Sequence, residues 1–126
     1  MTTPASGAFK ELPYSLKLRF ENEDGTKGTN PEELIAAAHS GCYAMALSVG
    51  LEKAGYEAEV LDCEAVVSLE QVDDGWEISR SDLKLKATVP GISKEEFGKI
   101  AEGAKEGCPV SQLLNCEITL DYTFNG

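Results

Sequence analysis

The 126 residues carry 22 acidic against 11 basic side chains, a formal net charge of −11. A chain this acidic lacks the basic footprint that nucleic acid or an anionic membrane surface requires, so neither is expected as a partner. With 42% hydrophobic residues, 26% charged residues and five prolines, the composition is that of a globular chain, and the length suits a single domain over residues 1–126.

The N-terminal MTTPASGAFKELP shows no basic region leading into an apolar core, and nowhere do eighteen apolar residues run together. The expectation is a cytoplasmic protein. In that reducing setting Cys42, Cys63, Cys108 and Cys116 are expected as reactive or buried thiols rather than structural disulfides. No C-x-x-C or H-x-x-x-H spacing occurs, so no metal site is expected.

YSLKLRF, residues 14–20, alternates strictly and predicts a half-buried strand with Tyr14, Leu16, Leu18 and Phe20 on one face and Arg19 on the other. The polar ENEDGTKG reads as a solvent loop. A helix then starts near Pro31, with Thr29 or Asn30 able to cap it and Glu32 or Glu33 able to complete a capping box. It runs to about Lys53, and Gly55 supplies the left-handed stop. From Leu34 to Leu51 the segment is apolar on nearly every side, which predicts a central helix surrounded by protein.

EAEVLDCEAVVSLEQV alternates again, placing Leu61, Cys63, Ala65, Val67 and Leu69 on one face. A turn at 73–75 leads into a second strand from Trp76, continued by Leu83, Leu85, Ala87 and Val89 and closed by Pro90-Gly91, so the two strands read as a hairpin. Ser93 caps a second helix, with Glu96 in the capping-box position and Ile92 able to staple onto Phe97. It ends near Gly107. After Cys108-Pro109 and the short apolar VSQLL, the strand CEITLDYTF presents Cys116, Ile118, Leu120, Tyr122 and Phe124 on one face. Strands mixed with two separated helices and few βαβ units give an α+β class.

Cys63 and Cys116 fall in register with inward strand positions, where a cysteine acts as a small hydrophobe. Cys42 and Cys108 stand beside Gly41, Gly107 and Pro109, as side chains placed for access do. Cys42 fits a reactive thiol or a packed core residue equally well. A break at Gly41 would start a new helical segment at Cys42 and lower its pKa; a continuous helix would not. His39, one helical turn before Cys42, fits a buried, hydrogen-bonded imidazole better than a direct catalytic base.

With these residues in view, the chain resembles the OsmC/Ohr family of thiol-dependent peroxidases, organic hydroperoxide reductases and osmotically inducible protein C-like enzymes, and most nearly its OsmC branch. The likeness rests on GTNPEELIAAAHSGCYAMALS around Cys42, on GCPVSQLL around Cys108, and on the order of elements from Arg19 to the C-terminus. It implies an OsmC-like α+β fold in which an antiparallel sheet packs around the long apolar helix and a second helix, in an intertwined homodimer. Against the family pattern the chain reads as short of its first N-terminal strand.

The resemblance also implies chemistry. Cys42 matches the peroxidatic cysteine and Cys108 the resolving cysteine that closes a redox-active disulfide with it. Arg19 matches the arginine that stabilises the thiolate, and Glu32 the glutamate that holds this arginine. Glu32 would lie about 15 Å from Cys42 on a straight helix, so the scheme calls for a bend near Ser40-Gly41 or for Arg19 to span the gap. Tyr43, Met45 and Leu113 are expected to line the site for an organic hydroperoxide. No cofactor is implied, and the expected reductant is a lipoyl protein or another dithiol. A non-catalytic redox sensor and a ligand-binding dimer with inert thiols are the competing readings.

Overall fold

The computed structural model describes residues 31–73 and 75–125. The strand expected at residues 14–20, and Arg19 with it, lies outside them. In chain order the elements are α1 (Pro31–Lys53), β1 (Val60–Val72), β2 (Gly75–Thr88), α2 (Lys94–Gly107), α3 (Pro109–Leu113) and β3 (Glu117–Phe124). Apart from the very short α3, these are the elements that periodicity and capping predict for this stretch.

Pro31 opens α1, where a missing N–H is no loss, and Glu32 and Glu33 put negative charge on the first turn. The helix passes through Ser40 and Gly41 without interruption, so no break forms there. It stops as expected at Gly55, whose φ is +91°. Tyr56 N–H donates to Leu51 O at 2.9 Å and Gly55 N–H to Glu52 O at 3.0 Å, closing the last turn.

Only one face of α1 enters the core, through His39, Tyr43, Leu47 and Leu51. Met45 is 73% exposed and Val49 49%, so within the single chain the helix is not enclosed on every side. By length and composition alone α1 would suffice to cross a membrane. Its buried stripe nevertheless shares one core with the sheet and α2.

β1 and β2 form the expected hairpin, with Leu61 opposite Ala87, Cys63 opposite Leu85 and Ala65 opposite Leu83. One irregularity interrupts the ladder: Ser68 faces Arg80 but Leu69 faces Ile78, leaving Ser79 as an extra residue. A one-residue bulge exchanges the two faces of a strand. Beyond it Ser81 therefore points inward with Leu83, Leu85 and Ala87, and all four are buried.

Among the described residues the sheet is ordered β1-β2-β3, and β3 runs parallel to β2. This corrects the expectation of an antiparallel sheet. The chain between β2 and β3 carries both α2 and α3, and such a crossover returns it to the start of β2 rather than its end. Ile118, Leu120, Tyr122 and Phe124 pair with Ser81, Leu83, Leu85 and Ala87, extending the same inner face.

Ser93 caps α2, its hydroxyl accepting from Glu96 N–H at 3.1 Å, and Ile92 and Phe97 are both buried as a staple requires. Phe97 is wholly buried, stacks on Phe124 with ring centroids 4.4 Å apart, and meets Tyr122 edge-on at 5.4 Å. Burying a side chain of this kind contributes about 2–3 kcal/mol, and here it fixes α2 against β3.

Candidate active site

The junction between α2 and α3 is one residue long. Cys108 ends the first helix, its N–H donating to Ala104 O at 2.9 Å, and begins the second, its carbonyl accepting from Gln112 N–H at 3.0 Å. Pro109 bars the helical conformation for the residue before it, and Cys108 accordingly takes φ −58°, ψ 125°. This sharp corner turns the Cys108 thiol toward α1. Its Sγ lies 3.0 Å from Cys42 Sγ, and both thiols are free.

The two sulfurs differ in access. Cys108 is wholly buried, whereas Cys42 is partly exposed. Cys42 borders a hollow of about 800 Å³ between α1 and α2, walled by Met45, Val49, Ile100 and Ala104, with Lys53 also on its lining. The helices approach closely beside it at Gly50, where a Cβ would stand 3.1 Å from Ile100 Cγ2. An apolar trough thus leads to one thiol and stops short of the other.

They also differ in charge. Burial is the largest influence on Cys108 and disfavours its thiolate, but hydrogen bonds from Cys42, from the Ser111 amide and hydroxyl and from the Val110 amide together turn the balance, leaving its pKa below that of an ordinary thiol. Burial raises the pKa of Cys42, and the hydrogen bond and negative charge of Cys108 add to this against a smaller opposing effect of the Val110 amide. The continuous α1 gives Cys42 no helix N-terminus to offset this.

His39, one helical turn before Cys42 on α1, is wholly buried. Its Nδ1 is 2.7 Å from Ser81 Oγ on β2 and its Nε2 2.7 Å from Ser111 Oγ on α3. Burial holds its pKa below the usual imidazole value, so the ring is neutral near pH 7. Ser81 and Ser111 are absent from the residues that sequence reasoning selects. A signal for Ser81 exists in the switch of apolar parity between Ile78 and Leu83, which marks the bulge; serines in CPVSQ give none.

The family described as OsmC-like protein matches residues 22–123 of this chain. The chain belongs to the OsmC-like family. Among its relatives, peroxiredoxin OsmC of Escherichia coli (strain K12) is 51% identical over 117 residues, 93% of this chain and 80% of that one. An organic hydroperoxide resistance protein of Xanthomonas axonopodis pv. citri is 32% identical over 100 residues, covering 76% of this chain and 68% of the relative. The crystal structure of an organic hydroperoxide resistance protein from Elizabethkingia anophelis superposes with a TM-score of 0.70 at 27% identity, covering 98% of this chain and 86% of that one. The α+β architecture is therefore the OsmC-like fold.

Of the site residues that the OsmC-like resemblance selects, the fold brings Cys42 and Cys108 together and sets Met45 beside Cys42 on the trough. Tyr43 is not on the trough. It belongs to the buried stripe of α1, is wholly enclosed, and donates its hydroxyl to Ala101 O at 3.2 Å. Leu113 and Glu32 border a different hollow, of about 500 Å³, together with Ile35 and Trp76. Ten steps of unbroken helix separate Glu32 from Cys42, about 15 Å along the axis, and Arg19 falls outside the described residues.

Proposed function

We propose that this OsmC-like protein is a peroxidase of oxidative-stress defence that reduces organic hydroperoxides through Cys42 and Cys108. The observation that carries this reading is the pair of free sulfurs 3.0 Å apart, one buried and one at the head of an apolar trough. The names of the relatives, peroxiredoxin and organic hydroperoxide resistance protein, point the same way.

Access favours Cys42 for the first step. A hydroperoxide whose organic tail lies in the trough meets Cys42 before Cys108, and burial of that tail favours alkyl hydroperoxides over hydrogen peroxide. The Cys42 thiolate attacks the distal peroxide oxygen, the O–O bond breaks, and the alkoxide leaves and takes a proton to become the alcohol. Cys42 is left as the sulfenic acid. The Cys108 thiolate then attacks the Cys42 sulfur, and hydroxide departs and is protonated to water as the disulfide forms. A dithiol, for which a lipoyl protein is suited, reopens the bridge by exchange and is itself oxidised.

Ionising Cys42 is the demanding step, because its described surroundings favour the thiol. Two routes meet that demand. Cys108 can take the Cys42 proton across the 3.0 Å contact, and Arg19 can supply a cation, held by Glu32 of the same subunit or of a second one. A guanidinium is suited to this, being always charged and able to bind a carboxylate while facing a sulfur. We further propose a homodimer that covers the exposed apolar face of α1, including Val49, and a cytoplasmic location, where the dithiol form is maintained.

The test is direct. Stoichiometric cumene hydroperoxide should convert the protein to a Cys42–Cys108 disulfide by peptide mapping, and consumption should continue when dihydrolipoamide is supplied. Four untouched thiols would support a ligand-binding module instead. A disulfide without sustained turnover would support a redox sensor.

A further inference from the structure

The chain Ser81–His39–Ser111 is connected on both sides, enclosed, and has no part in the chemistry above. A neutral imidazole has one N–H donor and one bare acceptor, so the 2.7 Å contacts of His39 permit two arrangements. In one, Nε2 accepts the only hydroxyl hydrogen of Ser111, which then points away from sulfur. In the other, Ser81 donates to Nδ1, Nε2–H donates to Ser111 Oγ, and the Ser111 hydrogen is released toward Cys108. Ser111 is the third residue of α3 counted from its N-cap, Cys108, the position an N-cap side chain addresses.

We propose that His39 is a positioning residue for the resolving cysteine: by donating Nε2–H to Ser111 Oγ it aims the Ser111 hydroxyl at Cys108 Sγ and so prepares the thiolate that attacks the oxidised Cys42. The assignment rests on the peroxidase reading for its role in resolution, but the hydrogen-bond chain stands without it. The Ser111 hydroxyl and amide and the Val110 amide all favour the ionised Cys108 sulfur over the thiol. His39 neither touches substrate nor removes the proton itself. It acts at a distance of one serine, from a site that solvent does not reach.

The timing fits the chemistry. If the Cys42 proton has passed to Cys108 during the first attack, Cys108 must lose it again before closing the disulfide, and the aligned hydroxyl favours that loss. The other titratable groups that meet Cys108 are Cys42 and Tyr43 from α1 and Cys63 from β1. Burial leads in raising the Tyr43 pKa far above its ordinary value and in pushing Cys63 up to about 11. Both stay neutral across the range in which Cys108 is to be titrated.

The experiment follows the ¹³Cβ resonance of Cys108 from pH 6 to 10 in the Cys42→Ser protein, where the partner thiol is absent. Ser111→Ala should raise the Cys108 pKa by about one unit, the scale of one hydrogen bond to an ion, and Ser111→Thr should restore it. Ser81→Ala, which reaches the sulfur only through His39, should shift the titration in the same direction. In protein retaining Cys42, Ser111→Ala should slow disulfide closure about tenfold at pH 7. His39→Phe should behave as Ser111→Ala does; if it fails to fold, the serine variants decide. An unchanged or lowered Cys108 pKa in both Ser111→Ala and Ser81→Ala overturns the proposal. A shifted titration in a protein that never consumes hydroperoxide would retain the chain and sink the peroxidase reading, while turnover without the shift would do the opposite.

Discussion

Oxidation of the Cys42–Cys108 pair should make the protein markedly more resistant to heat. The sulfurs stand 3.0 Å apart in the free state, and a covalent bridge of about 2.05 Å needs roughly one further ångström of approach, within reach of side-chain adjustment. The bridge would close a loop across a sequence separation of 66 residues. On the chain-entropy account, constraining the unfolded state over a loop of that length stabilises the fold by about 4 kcal/mol. For a domain of this size such a gain raises Tm by about 10–20 °C. Calorimetry of the hydroperoxide-treated and dithiol-reduced forms reads the difference, with Cys108→Ser as the control that should show none. An oxidised form melting at or below the reduced one would mean that closing the bridge strains the fold as much as the cross-link helps it. The two thiols would then not be pre-arranged for resolution.

Cys42→Ser should abolish hydroperoxide turnover, whereas Cys108→Ser should permit one oxidation, trapped as a sulfenic acid by dimedone, and then stall; equal activity in all three proteins would remove the scheme. Arg19→Ala should raise the Cys42 pKa and slow its attack, and a Cys42 alkylation profile unchanged by that substitution would remove Arg19 as the activating cation. His39 has a folded pKa below its ordinary value of 6.5, so the unfolded chain binds the extra proton first: this contribution to stability is whole above about pH 6.5 and is lost as pH falls through the folded pKa. Urea midpoints measured between pH 7.5 and 5 should fall accordingly and the His39→Phe protein should lack that fall; Asp82, lowered from 3.8 chiefly by the Arg80 hydrogen bond, acts only at lower pH. Phe97→Ala should cost about 3–5 kcal/mol by urea denaturation, and a cost below about 1 kcal/mol would show that the stack on Phe124 does not anchor α2.

Local signals carried most of the fold. Ser93, Glu96 and the Ile92/Phe97 pair mark the start of α2, and Gly55 the end of α1, because caps and left-handed stops are decided by a few neighbouring residues. The direction of β3 is not local. Its inward set Ile118, Leu120, Tyr122 and Phe124 reads the same whether it pairs parallel or antiparallel, and only the crossover through α2 and α3 settles the matter. Tyr43 lies off the trough for a related reason. When apolar residues surround a helix, periodicity names no face, and the core stripe at His39, Tyr43, Leu47 and Leu51 emerges only once β1 and α2 lie against it. Cys42 and Cys108 were selected by the motifs around them, yet their 3.0 Å separation depends on contacts between distant elements.

Helical geometry then explains why two neighbouring residues of α1 have such different fates. Successive residues turn by about 100°, so Tyr43 lies about 40° from His39 and shares its buried stripe. Cys42 lies about 60° to the other side, at the border where the core gives way to the trough. There it is close enough to the interior to reach Cys108 and far enough out to meet a substrate. Moving it one place forward would enclose it where Tyr43 is, wholly buried. Moving it one place back, to exposed Gly41, would carry the sulfur about 100° away from its present bearing. On the proposed mechanism the chemistry therefore depends on the position of Cys42 on the helix edge as much as on its identity. The Cys-Pro corner does for Cys108 what that angle does for Cys42: backbone geometry fixes where a sulfur points.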